Sequence, residues 1–207
     1  MKEMFKTALL DSDKIKAFTV LSDFLDSSHK LDNVIHLVTS VLAELGDDWE
    51  KGDVALSQIY MSSRICEEIL DKFLPPESHN KAESTTNIAI VTLMDLHFLG
   101  RRIVKSFLRS SGFEVLDLGA IPSPQELAKK AMENHIKYLF ISTLMYHAAI
   151  KVKEVREIFI KQNYDIKILV GGAPFFYDRM LWKQVDADAM GISPADAVNI
   201  LHLWKQE

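Results

Sequence analysis

Asp95, His97 and Gly100 lie within the stretch Met94-Asp95-Leu96-His97-Phe98-Leu99-Gly100, which sets a carboxylate two residues from an imidazole. A carboxylate that close can hold one ring nitrogen, fix the tautomer and leave the other nitrogen to ligate a metal. The same spacing also suits a hydrogen-bonded loop histidine beside a helix-capping aspartate, with Gly100 as a small residue at a helix start. Further along, Ser142, Thr143 and Leu144 offer two hydroxyls, which either meet a ligand or cap the next helix. Gly171-Gly172 either lets backbone approach a ligand closely or makes a tight turn. Each signal alone is weak, and their meaning depends on whether the fold brings them to one place.

The second half of the chain has the pattern to do so. Short apolar runs at Ile88 to Leu93, Glu114 to Leu118, Tyr138 to Ser142, Ile166 to Val170 and Ala187 to Met190 read as strands. Between them lie amphipathic stretches of helical length: Leu99 to Ser110, Pro124 to Asn134, Ala148 to Gln162, Tyr177 to Val185 and Pro194 to Lys205. Alternation of this kind means βαβ units and a parallel sheet covered on both faces. The expected fold is α/β, a flavodoxin-like doubly wound parallel sheet of five strands. In such folds the ligand lies beyond the carboxyl ends of the strands. The three chemical segments follow the first, third and fourth strands directly.

The first half reads as a four-helix bundle. Ile15, Phe18, Leu21, Phe24 and Leu25 recur at helical spacing, as do Val34, Leu37, Val38, Val41, Leu42 and Leu45. A short start covers Phe5 to Leu10, and a last run from Asp53 to Leu74 carries Leu56, Ile59, Cys66, Ile69 and Phe73. Asp13 and Asp32 stand where N-caps belong, and Gly46 is placed to stop the second run. Pro75-Pro76 ends the last helix and a polar stretch follows. The expected division is a helical cap domain at 1–74, a linker at 75–86 and a Rossmann-like domain at 87–207.

Composition narrows the function classes. The chain has 207 residues, 48% apolar and 26% charged, an ordinary globular balance that excludes a disordered or collagen-like chain. One cysteine, Cys66, forms no internal disulfide and fits a reducing compartment. No apolar run reaches the roughly 20 residues of a membrane span, and the N-terminus lacks a signal-peptide core, so a cytoplasmic protein without a membrane partner is expected. Net charge is −5, with no basic block to track phosphates, so nucleic acid is not an expected partner.

Taken together, Asp95-x-His97-x-x-Gly100, Ser142-x-Leu144 and Gly171-Gly172 resemble the hallmark of the cobalamin-binding domain family. Gly112-Phe113-Glu114-Val115, Asp117-Leu118-Gly119 and Gly171-Gly172-Ala173-Pro174 are similar to its surrounding text. The helical half ahead of this domain looks like the corrinoid proteins of methanol, methylamine and aryl-ether methyltransferase systems, and like the cobalamin module of methionine synthase. Gly46 to Gly52 matches the segment before the last cap helix.

The resemblance implies that a corrinoid is the cofactor and that His97 replaces its lower base on cobalt, with Asp95 holding the far nitrogen. It implies a tail slot passing Gly100, Ser142, Leu144 and Gly171-Gly172, with Tyr146 beside it. Trp49 and Leu56 fall at positions that cap the upper face of the corrin; Trp49 equally suits a core position at the end of the bundle. The implied function is a corrinoid carrier that shuttles a methyl group between a methyl-donor-specific methyltransferase and an acceptor methyltransferase, served by a reductive activator. A cobalamin-dependent sensor is the alternative, but Ile59-Tyr60 stand where light-sensing relatives carry a Glu-His pair. The sequence departs from the family at Met145-Tyr146-His147-Ala148, where relatives continue with hydroxyl residues. A hydrogen-bond relay through Asp95 is therefore expected to be shortened, and His147 is read as a surface residue at a helix start.

Overall fold

The computed structural model describes residues 1–28, 30–73 and 86–206, apart from the side chains of Asp32, Glu50, Leu56, Asp71 and Ser110. The chain divides into two compact units, Met1–Ser78 and His79–Glu207. Apart from Thr86, the expected linker lies outside the described residues.

The first unit is helical: α1 (Lys2–Leu10), α2 (Lys14–Ser28), α3 (Leu31–Lys51) and α4 (Leu56–Phe73). Phe5, Leu9, Leu21, Val38, Ile69 and Leu70 close its core. Asp13 caps α2, its Oδ1 accepting from the Lys16 backbone N–H at 2.9 Å. Two other expectations fail. The N-cap of α3 is Lys30, so Asp32 falls inside the helix. Gly46 does not end α3 either; the helix runs through it and stops at Gly52, whose φ of 85° is the left-handed conformation that glycine adopts freely. A single glycine inside a helix costs only about 1 kcal/mol, which the packing of a long apolar face outweighs. Cys66 is fully buried, and burial, with Glu67 beside it, pushes its thiol far above the ordinary range.

The second unit is the expected doubly wound sheet. Its strands are β1 (Ile88–Leu93), β2 (Leu116–Ile121), β3 (Tyr138–Ser142), β4 (Lys167–Gly171) and β5 (Ala189–Gly191), in the order β2-β1-β3-β4-β5 and all parallel. The helices are α5 (Leu99–Ser110), α6 (Pro124–Glu133), α7 (Tyr146–Ile150), α8 (Val152–Lys161), α9 (Ala173–Tyr177), α10 (Leu181–Gln184) and α11 (Pro194–Trp204). Strand alternation divides the core between two layers. Ala89, Val91, Leu93, Leu139, Ile141, Ile168 and Val170 pack with residues of α6, α8, α9 and α10. Ile88, Ile90, Phe140 and Leu169 pack with Leu108 of α5 and with Ala197 and Leu201 of α11.

Several element boundaries differ from the sequence reading: β4 and β5 are displaced by one or two residues, α6 and α11 each end one residue earlier, and three differences are larger. β2 starts at Leu116 rather than Glu114, because the chain is still leaving α5: the Phe113 N–H bonds back to Leu108 and its ring packs on His202. The stretch read as one helix from Ala148 is α7 and α8, divided where the Lys151 N–H turns back onto Ala148. The stretch from Tyr177 is α9 and α10: Pro174 starts a turn early, and extended Asp178 interrupts it.

Asp117 on β2 meets two cations of α5. Its carboxylate pairs with Arg101 and lies 2.8 Å from Lys105 Nζ, while the Gly119 N–H donates to it at 2.9 Å. Burial works against the charge, but the Lys105 hydrogen bond, the Arg101 charge and the Gly119 amide hold Asp117 below its ordinary 3.8. A carboxylate depressed on folding adds stability above its unfolded value and loses it as pH falls through the folded one. The corrinoid-free protein is therefore expected to lose stability as pH falls below about 4. Asp117→Asn should flatten that acid limb in urea melts taken across the range, at the cost of lower stability at neutral pH.

Candidate functional site

β1 ends at Leu93, and Met94 turns the chain with a φ of 51°, its N–H held by the Ile121 carbonyl at 2.8 Å. The turn sets Asp95 over the carboxyl edge of the sheet. Its side chain is only 3% exposed, and that of His97 is 17% exposed. His97 Nδ1 lies 2.7 Å from Asp95 Oδ1, which also accepts from the His97 backbone N–H at 3.1 Å. With the proton at Nδ1 donated to the carboxylate, the ring's lone pair resides on Nε2.

The other oxygen of Asp95 reaches the loop after β3. Oδ2 accepts from the Leu144 N–H at 2.9 Å and the Met145 N–H at 3.2 Å. Burial raises the carboxylate's pKa, but hydrogen bonds from the His97 ring and from the Leu144 and His97 amides more than offset it, so Asp95 stays below its ordinary 3.8. The hydroxyl residues missing after Leu144 are thus replaced by main-chain donors. These hold Asp95 but, unlike a hydroxyl, carry no proton onward. Backbone donors have no residue-type signature, so the sequence could not reveal them.

The alternative for Ser142 and Thr143, capping of the next helix, does not occur. The N-cap of α7 is Met145 and has no side-chain cap bond. Ser142 instead faces α5: a Cβ added to Gly100 would stand 3.0 Å from Ser142 Oγ. In register across the sheet lie Ala120, Thr92, Ser142, Gly171 and Gly191. The row below is larger, with Ile90, Phe140 and Leu169. Short side chains at the edge over a bulky floor make a trough on the α5 and α11 face. Thr92 and Gly191 belong to it although the sequence reading did not single them out; the lone hydroxyl in the apolar run of β1 was the available signal.

Gly172 also ties two loops together. Its φ is 111°, and an added Cβ would lie 1.8 Å from the Thr143 carbonyl oxygen. The close approach is between two loops of the protein itself, and it fixes the segment that carries the Leu144 and Met145 amides.

Residues 86–199 match the B12 binding domain family, and residues 1–73 match a second family with the same description. The chain belongs to the B12-binding family. Its cofactor is a corrinoid. It is 29% identical over 170 residues to trimethylamine corrinoid protein 2 of Methanosarcina acetivorans, covering 79% of this chain and 77% of the relative. Trimethylamine corrinoid protein 1 of the same organism is 26% identical over 201 residues, covering 94% and 92%. Among solved structures, the Methanosarcina barkeri monomethylamine corrinoid protein superposes with a TM-score of 0.75 at 22% identity, covering 95% of this chain and 94% of that one. The methanol:cobalamin methyltransferase complex from Methanosarcina barkeri gives a TM-score of 0.50 at 20% identity, covering 97% and 77%.

The residues of this B12-binding protein suit a corrinoid. An imidazole oriented through Nδ1 is a donor that cobalt accepts, and the strand row beside it is built of alanine, threonine, serine and glycine. Tyr146 opens α7 and is 57% exposed, and His147 beside it is exposed, as a helix-start residue should be. Leu144 is half-buried. In the helical unit, Trp49 lies in the last turn of α3 and is 43% exposed, so it is not a core residue. Leu56 opens α4, and its side chain lies outside the described set. Trp49→Ala should therefore cost about 1 kcal/mol or less in thermal unfolding of the corrinoid-free protein, against about 3–5 kcal/mol for truncating a core tryptophan.

Among the described residues no helix is long and apolar enough to cross a membrane.

Proposed function

We propose that this B12-binding protein is a corrinoid methyl carrier, taking a methyl group from a methyl-donor-specific methyltransferase and yielding it to an acceptor methyltransferase. When bound, the corrinoid supplies the cobalt that receives and releases the methyl group. The observation that carries the reading is the Asp95–His97 pair, with Nδ1 held at 2.7 Å at the carboxyl edge of β1.

In this reading His97 Nε2 would hold the cobalt. Asp95 keeps the ring in one tautomer and orientation, and the Leu144 and Met145 amides keep Asp95 in place. The trough of Gly100, Ser142 and Gly171 would receive the corrinoid's nucleotide tail, and Trp49 and Leu56 would be the helical unit's contacts with the bound corrinoid. A reductive activator would be a third partner. The relatives' names, trimethylamine and monomethylamine corrinoid proteins, favour a methylamine as the donor's class.

The test is reconstitution with hydroxocobalamin, desalting, reduction of the bound cob(III) by two electrons to cob(I) with excess titanium(III) citrate, and incubation with a methylamine-specific methyltransferase and its substrate. One corrinoid retained per chain and methylated by the partner is the expected result. Failure to retain a corrinoid, or retention without methylation by any methylamine or methanol methyltransferase, would overturn the proposal.

A further inference from the structure

Thr92 carries a hydroxyl for which the fold has no use. It is fully buried at the end of β1, and among the described residues its Oγ1 has no hydrogen-bond partner. Burying a hydroxyl unpaired is costly, and valine would fill the same space without that cost. An orphaned polar group at such a place calls for a ligand.

Its position says which ligand. Ile88 and Ile90 face α5 and α11, and strand alternation puts Thr92 on the same face. In register it sits between Ala120 of β2 and Ser142 of β3, with Gly171 and Gly191 beyond. The trough therefore holds two neighbouring hydroxyls, Thr92 and Ser142, on strands about 4.8 Å apart, with alanine and glycine as their neighbours in the same row.

We propose that Thr92 selects the lower base of the corrinoid: with Ser142 it engages two polar atoms on the base edge, so the protein prefers a purine lower base to dimethylbenzimidazole. The inference rests on reading the trough as the tail slot. Dimethylbenzimidazole, off cobalt, offers one ring nitrogen as acceptor and ends in two methyl groups. Ser142 satisfies that nitrogen, and a hydrocarbon edge leaves Thr92 as unpaired as it is in the free protein. Adenine carries further ring nitrogens and an amine along its edge, so the second hydroxyl gains a partner.

The experiment titrates the full corrinoid-free chain with two corrinoids that differ only in the lower base, adenine or dimethylbenzimidazole, reading binding by absorbance. The native chain should bind the adenine form about tenfold more tightly, the worth of one satisfied buried hydrogen bond. Thr92→Val should bring the two affinities together and raise the melting temperature of the corrinoid-free protein, because an unpaired buried hydroxyl is gone. Thr92→Ser, which keeps the hydroxyl, should keep the preference. A native preference for dimethylbenzimidazole, an equal loss of both affinities in Thr92→Val, or a lowered melting temperature in that variant would each overturn the inference. If the native chain retains neither corrinoid, the corrinoid-carrier reading fails, and this inference falls with it.

Discussion

Asp95→Asn is expected to weaken corrinoid retention about ten- to a hundredfold, the usual cost of losing a carboxylate behind a metal-ligating histidine. The carboxylate now accepts at both ends, from the His97 ring and amide on one oxygen and from the Leu144 and Met145 amides on the other. An asparagine has one acceptor oxygen for these two sides. Turned toward His97, it presents its NH2 to two backbone donors; turned toward the loop, it presents that NH2 to the histidine and favours the wrong tautomer. Either way a buried donor faces a donor, which costs about 1–3 kcal/mol. The substitution should thus weaken retention and lower the urea midpoint of the corrinoid-free protein together. A variant that binds hydroxocobalamin as tightly as the native chain would show that Asp95 is only a loop residue.

Gly172→Ala should be the most damaging single-atom addition to the second unit. Its φ of 111° with ψ of 178° is a conformation that only glycine adopts readily, and the new methyl would lie 1.8 Å from the Thr143 carbonyl oxygen. Backbone, not a flexible side chain, stands in the way, so the β3 and β4 loops must separate. A loss of about 3 kcal/mol or more in urea unfolding is expected, with weaker corrinoid retention because Leu144 and Met145 move with Thr143. Gly112→Ala is the control: its φ is 87° but nothing lies within 4 Å of an added Cβ, so only about 1 kcal/mol of backbone strain is expected. Equal losses in the two variants would mean that the contact with Thr143 is not what requires Gly172.

The parts of the fold readable from sequence were those that punctuate themselves. β1, β3 and α5 were bounded correctly, because a short apolar run and a strong amphipathic stretch each contrast with what flanks them. Gly46 misled because one glycine does not outweigh the buried face of α3, whereas Gly52 ends the helix where a left-handed residue is needed. At the site, the Asp95–His97 contact was legible, since two residues of separation put carboxylate and imidazole within reach whatever the loop does in detail. The far side of Asp95 was not legible, because its partners are main-chain amides of a loop some fifty residues on. Nor was the trough: it consists of residues from five strands that become neighbours only through register, and Thr92 is unremarkable until Ser142 lies beside it. The hydroxyls of Ser142 and Thr143, read as possible caps, show the same limit, since a cap depends on where the helix begins and α7 begins at Tyr146.

The central claim is that the nitrogen beneath cobalt comes from His97. Electron paramagnetic resonance of the cob(II) form, in protein grown with 14N- or 15N-histidine, tests it most directly, because one axial nitrogen splits the signal into triplets or doublets according to the isotope. The account predicts triplets that become doublets on labelling and vanish in His97→Ala. Triplets that ignore the label and persist in His97→Ala would place the cofactor's own base on cobalt and contradict it.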